Sequence, residues 1–147
     1  MGTIPALLSR LVVARAGDRC EYCGLSQQGQ EGRFHVDHVI PRASGGPTTL
    51  ENLALACVSC SLYKAARLTA PDPQSGREVA LFNPRADRWE EHFRWEGVRM
   101  VGLTPTGRAT VEALRMNRLL VLPIREEESL RGRHPPPSST WVSQDEQ

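Results

Sequence analysis

The chain has 147 residues, 39% of them hydrophobic, with 18 Lys+Arg against 17 Asp+Glu for a formal net charge of +1, and four cysteines. These values suit one ordinary domain with a core and short appendages, and they exclude a histone-like binder whose affinity rests on gross positive charge. No apolar run approaches the roughly 18 residues of a membrane span, and Met1 to Arg10 lacks the basic start and apolar block of a secretory signal, so a soluble, cytoplasmic protein without a membrane partner is expected.

From the N-terminus, Ile4, Leu7, Leu8, Leu11 and Val12 follow the spacing of an amphipathic helix, with Pro5 suited to a first turn and Gly17 a stop. Leu25 to Gly32, rich in Gln and Gly, reads as a polar loop. Phe34, Val36 and Val39-Ile40 predict a strand closed by Pro41, and Ser44-Gly45-Gly46-Pro47 forces a loop. Leu50, Leu53 and Leu55 predict a return segment. Ser61 to Leu68 then reads as a helix with Lys64 and Arg67 one turn apart. Thr69 to Gly76 holds two Pro and a Gly, which marks a boundary or a long turn.

Beyond that segment residues 82–95 hold four aromatics, Phe82, Trp89, Phe93 and Trp95; the group Trp89, Phe93 and Trp95 predicts core packing, and His92, among charged neighbours, an exposed helix residue. Trp95 to Leu103 alternates as a strand. Thr104-Pro105 has the form of a helix N-cap followed by proline, with Val111, Leu114 and Arg115 to Arg118 completing that helix. Leu119 to Ile124 is apolar, and Glu126 to Leu130 predicts a short helix whose three glutamates form a solvated face. From Gly132, with Pro135-Pro136-Pro137, the chain is expected to be a disordered tail. The expected organisation is therefore residues 1–70 as an N-terminal helix plus a metal-stapled core, 71–131 as an extension packed on it, and 132–147 as the tail.

The cysteines are Cys20, Cys23, Cys57 and Cys60, two CxxC pairs separated by 33 residues. Zinc takes four soft ligands in a tetrahedron, and a two-residue spacer lets a tight turn aim both thiolates of a pair at one ion. All four cysteines fall into matched pairs, and a cytosolic setting opposes disulfides, so a structural Zn²⁺ is the expected cofactor. Its ligands come from segments far apart in sequence, so folding there should depend on the metal.

Between the pairs lies Phe34-His35-Val36-Asp37-His38-Val39-Ile40-Pro41-Arg42, then Gly45-Gly46, Asn52-Leu53, and Cys57-Val58-Ser59-Cys60-Ser61 with Lys64. This combination, from Cys20 to about Arg67, resembles the HNH endonuclease family with its ββα-metal motif. Residues such as Leu81-Phe82-Asn83-Pro84-Arg85 and Gly102-Leu103-Thr104-Pro105 also resemble an extension carried by a bacterial group of small HNH proteins. The implied fold is α+β: a small ββα-metal core stapled by the four-Cys zinc site, with an N-terminal helix and a C-terminal α/β extension. The implied activity is metal-dependent hydrolysis of phosphodiester bonds in DNA. His38 would be the general base, Asp37 a ligand of a catalytic Mg²⁺ or Mn²⁺, and Asn52 the residue that fixes the loop and orients His38. Hard carboxylate oxygen suits such a cation and thiolate suits zinc, so two metals with separate tasks are implied. Lys64, Arg67 and Arg42 are the candidate phosphate contacts.

Two features qualify this assignment. In an unbroken strand Asp37 and His38 point to opposite faces, so one site can use both only if the strand ends or bulges there. Ser61 stands where the family carries His or Asn as a second cation ligand. Either Ser61 ligates directly or through water, or His35 or His92 supplies the ligand, or the site is degenerate. The alternative function is accordingly a catalytically silent zinc module that binds nucleic acid or a protein partner. Oligomeric state is left open, a homodimer being one option.

Overall fold

The computed structural model describes residues 3–137. Helix α1 (Ala6–Arg15) starts after Pro5, which supplies the extended backbone that precedes the first turn. Only part of its expected apolar face is used. Val12 and Ala16 are buried and Ile4, Leu8 and Val13 pack at the margin of the core, whereas Leu7 and Leu11 are 61% and 43% exposed. The surface beneath α1 is a two-stranded sheet, wide enough for the row at positions 4, 8, 12 and 16 and too narrow for the next row round.

The sheet pairs β1 (His35–His38) with β2 (Leu53–Ala56), antiparallel, with His35 opposite Ala56, Asp37 opposite Ala54 and His38 opposite Leu53. Strand β2 is buried along its whole length because α1 touches the sheet and so does α2 (Val58–Lys64), which follows at once. Arg15 locks the first layer, donating to the Leu50 and Leu53 carbonyls at 2.9 and 2.7 Å. Helix α2 starts three residues earlier than Ser61 and ends at Lys64. Cys57 caps it through its sulfur, and Ala65 adopts a left-handed φ of 49° that no helix continues through, so Arg67 and Leu68 lie outside it.

The segment 69–76, read as a boundary or a long turn, belongs to a hairpin, β3 (Thr69–Pro71) and β4 (Glu78–Ala80), whose turn is organised by Asp72. Asp72 accepts from Gln74 N and Ser75 Oγ and takes a two-pronged contact from Arg108, at 3.0 Å for each prong. A short helix α3 (Trp89–His92) leads into a second hairpin, β5 (Phe93–Glu96) and β6 (Arg99–Gly102), in place of one strand over 95–103; Gly97 turns it with a φ of 61°. Helix α4 (Pro105–Ala113) has the expected cap, Thr104 Oγ1 accepting from Gly107 N at 3.0 Å, but stops short of 115–118 because Arg115 is left-handed. Helix α5 (Val121–Leu130) begins in the apolar run and is longer than Glu126–Leu130.

One buried cluster runs from Val12 through the cysteines and β2 to Phe93 and Met116, so both halves of the chain share it. Trp89 and Phe93 are buried in it, as expected. His92 is not simply exposed: it is half-buried, its Nδ1 lies 2.6 Å from Thr104 Oγ1, and it packs against Phe82. Glu128 is likewise buried, paired with Arg133, while Glu126 and Glu127 face solvent. The start of the expected disordered tail is tied down, since Arg133 holds Glu128 and His134 contacts both the Gly97 carbonyl and the Trp95 ring. The rest of that tail, 138–147, lies outside the described residues. No helix among the described residues is long and apolar enough to cross a membrane.

Candidate metal centre and nucleic-acid interface

The loop after α1 brings Cys20 and Cys23 against the start of α2. All four sulfurs lie within 4.8 Å of one another and are buried, and the Cys23–Cys57 separation is 3.7 Å. A tetrahedron with Zn–S bonds of about 2.3 Å has edges of about 3.8 Å, so the spacing fits a single zinc ion and not a disulfide. Each CxxC turn points a backbone N–H at its first sulfur, Cys23 N to Cys20 and Cys60 N to Cys57, both at 3.4 Å. Burial pushes the Cys20 thiol well up, a cost that a dication among the four sulfurs would offset.

The extension closes over this knuckle. Glu21 bonds β2 through both its N–H and its carboxylate, at Leu55, and pairs with Arg85. Trp89 Nε1 donates to the Tyr22 carbonyl at 3.0 Å. Arg125 of α5, buried, reaches the Val98 and Met116 carbonyls, stacks its guanidinium over Trp95, and with Cys23 borders one small void. The sequence reading passed over Glu21 and Arg125, and named Arg85 only within the resembled extension, with no role. Nothing in their local pattern distinguishes them from surface charges.

The loop between the strands explains Asn52 and the two glycines. Asn52 is buried; its Oδ1 accepts from Ile40 N at 2.9 Å and its Nδ2 donates to the Ile40 and Pro47 carbonyls. Gly45 has a φ of +87°, and a Cβ on Gly46 would sit 1.7 Å from the Ile40 carbonyl oxygen. Asn52 thus clasps the loop that follows His38, and no hydrogen bond joins it to the ring itself.

His38 closes β1 with its register unbroken. Its Nε2 lies 2.8 Å from Thr48 Oγ1 and receives Arg42 Nε at 3.2 Å. A guanidinium can only donate, so Nε2 carries the lone pair and the proton of the neutral ring is on Nδ1. Partial burial, and then the Arg42 charge, lower its pKa against the opposing pull of Asp37, which keeps the ring neutral. Thr48 is a partner the sequence reading did not name.

Strand alternation places His35 and Asp37 on the α2 side and Val36 and His38 on the α1 side. His35 Nδ1 lies 2.9 Å from Ser61 Oγ on α2, while His38 and Val36 line a cleft beside α1. Of the candidate ligands, then, Asp37, Ser61 and His35 share one face, and His92 sits in the extension on Thr104. Lys64, expected at the phosphates, points inward: it is buried and donates to the Val39 carbonyl at 3.0 Å. Arg67, off the helix, is exposed and bonds the Tyr63 and Ala113 carbonyls. Arg42 is exposed beside His38.

No curated protein and no solved structure gives a significant match. Residues 20–67 match the HNH endonuclease family model, which points to a nuclease-type or nucleic-acid-related role. That span runs from the first cysteine of the cluster past the last and encloses Asp37, His38, Asn52 and Ser61, so the match falls on the same segment as the resemblance in sequence.

Proposed function

We propose that the protein is a metal-dependent endonuclease that hydrolyses phosphodiester bonds in DNA. The observation that carries this reading is a neutral His38 at the end of β1, its Nε2 bound by Arg42 and Thr48, with Asp37 beside it in sequence on the opposite face of the same strand. Strand β1 pairs only with β2, so its outer edge is open among the described residues. A phosphodiester lying across that edge meets His38 on one side and Asp37 on the other. This is the arrangement hydrolysis needs: a base for the attacking water and a cation for the leaving oxygen on opposite sides of phosphorus.

Asp37, with Ser61 and His35 on the same face, would hold the Mg²⁺ or Mn²⁺, and the cation would stabilise the charge that develops on the leaving group. His38 Nε2 accepts the proton of water, which approaches along the direction now taken by the Thr48 hydroxyl. Asn52 and Lys64 hold the backbone that follows that ring, through Ile40 and Val39. Arg42 and Arg67 supply phosphate contacts, so binding weakens steeply with salt.

A second reading, a silent zinc module that binds nucleic acid or a protein, is favoured by one observation: Ser61 is already satisfied by His35. Incubating the zinc-loaded protein with supercoiled plasmid and Mg²⁺ or Mn²⁺ separates the two. Nicking that His38→Ala abolishes supports the enzyme. Absence of nicking with either ion, or equal cutting by the variant, leaves the silent module.

A further inference from the structure

On the face of β1 away from α2, a cleft of about 810 Å³ opens between α1 and the strand. Its size lies in the range of ligand sites, roughly 300–1,000 Å³. The floor is apolar, made by Ile4, Val13, Phe34 and Val36, and the rim carries Arg10, Arg33 and Arg42 against one carboxylate, Asp18. Arg10 and Arg33 are exposed and make no hydrogen bond or ion pair among the described residues. His38 forms part of the wall, so whatever fills the cleft is continuous with the group that reaches the base.

An apolar floor beneath guanidinium groups, two of them, Arg10 and Arg33, without a partner among the described residues, matches an occupant that is flat and apolar at its centre and anionic on both flanks. A nucleotide within a strand has that form, with a base between two phosphates. A base inside a duplex is stacked above and below and cannot enter a cleft; one that is unpaired can. The geometry points to this cleft as the seat of one unpaired nucleotide next to the bond that is cut, its base on the apolar floor and its flanking phosphates on Arg10, Arg33 and Arg42. The inference rests on the nuclease reading and adds a preference: single-stranded, bulged or mismatched DNA over perfect duplex.

The test is fluorescence anisotropy with the full-length, zinc-loaded protein and no added Mg²⁺ or Mn²⁺, using a fluorescein-labelled single strand, its perfect duplex, and the same duplex with a one-nucleotide bulge. Wild type binds the single strand and the bulged duplex about tenfold more tightly than the perfect duplex, the size expected of one stacked base. Ala14→Trp, an exposed position of α1 that lines the cleft, fills it and removes that advantage while duplex binding stays. The double variant Arg10→Ala/Arg33→Ala lowers the log–log salt slope for the single strand by about 1.4, two phosphates' worth. Zinc content and near-ultraviolet circular dichroism show that each variant is folded, and the arginine pair serves if Ala14→Trp is not. Equal binding of all three probes, with Ala14→Trp indifferent, overturns the cleft assignment and leaves the nuclease reading standing. Binding of none of them, together with no plasmid nicking, overturns both.

Discussion

His35 Nδ1 lies 2.9 Å from Ser61 Oγ, which ties the strand that carries Asp37 to the helix position from which the HNH family would draw a second cation ligand. Serine is a short neutral donor, and the imidazole beside it either orients the hydroxyl or joins the cation's shell. Loss of such a partner commonly costs 10–100-fold in metal affinity. His35→Ala is therefore expected to raise the Mn²⁺ concentration for half-maximal nicking by roughly tenfold or more, and Ser61→Asn to lower it. Titrating Mn²⁺ against nicking rate checks both; an unchanged midpoint in His35→Ala would remove His35 from the site.

With His38 as the proposed base, its lowered pKa would set the acid limb of nicking. Partial burial and the Arg42 guanidinium disfavour the imidazolium, so the limb falls below the ordinary histidine value of about 6.5, and the rate at pH 7 is on its plateau. Removing the cation favours protonation. Arg42→Ala therefore moves the limb to higher pH, which a kcat/KM profile on plasmid or oligonucleotide would resolve separately from any loss of binding.

Asp72 anchors the hairpin turn to α4 through Arg108. Hydrogen bonds from Arg108 hold its carboxyl well below the usual carboxylate range. A depressed folded-state pKa means that the stabilisation is fully present above the unfolded value of about 3.9 and declines as pH falls from there through the folded value. Asp72→Asn should thus lower the urea midpoint at pH 7, and the gap from wild type should narrow under strongly acidic conditions. A constant gap across that range would assign the loss to packing alone.

The four-cysteine cluster is shared by both halves of the chain, since Arg85, Trp89 and Arg125 of the extension close over its knuckle. Chelation of the metal, or Cys57→Ser, is expected to abolish cooperative unfolding of the whole chain and not of residues 20–67 alone. Near-ultraviolet circular dichroism reads this directly, because two of the three tryptophans, Trp89 and Trp95, lie in the extension.

Gly45 and Gly46 differ in what they tolerate. Gly45→Ala has open space and pays only for its left-handed backbone, about 1–2 kcal/mol. A methyl on Gly46 collides with the Ile40 carbonyl and with Asn52 Nδ2, and relief requires opening the clasp after His38. Gly46→Ala should cost at the upper end of overpacking, about 3 kcal/mol, and should lose nicking even where the protein remains folded. Chemical denaturation beside a plasmid assay distinguishes the two positions.

Much of this was readable from local pattern. The cysteine spacing carries the zinc site because tetrahedral thiolate coordination needs those residues in those pairs, and Thr104-Pro105 marks a helix start because a hydroxyl and a fixed φ satisfy its first turn. The α+β class and the ββα order followed from alternation, turn residues and the family resemblance. Element ends were less legible. Ala65 and Arg115 stop helices in left-handed conformations that neither residue type favours, so composition gives no sign of them.

By itself the sequence determined which groups are present: four cysteine sulfurs in two CxxC pairs, an Asp37-His38 pair, Asn52 and a near-balance of basic and acidic residues. Only the tertiary structure decided what each faces. Lys64 turns inward to Val39, because its helix packs on the sheet, while Arg42 reaches back to His38 and Ser61 finds His35 across the interface between strand and helix. Which charges meet solvent and which meet a carbonyl depends on the angle at which elements pack, and that angle is set by contacts between residues distant in sequence.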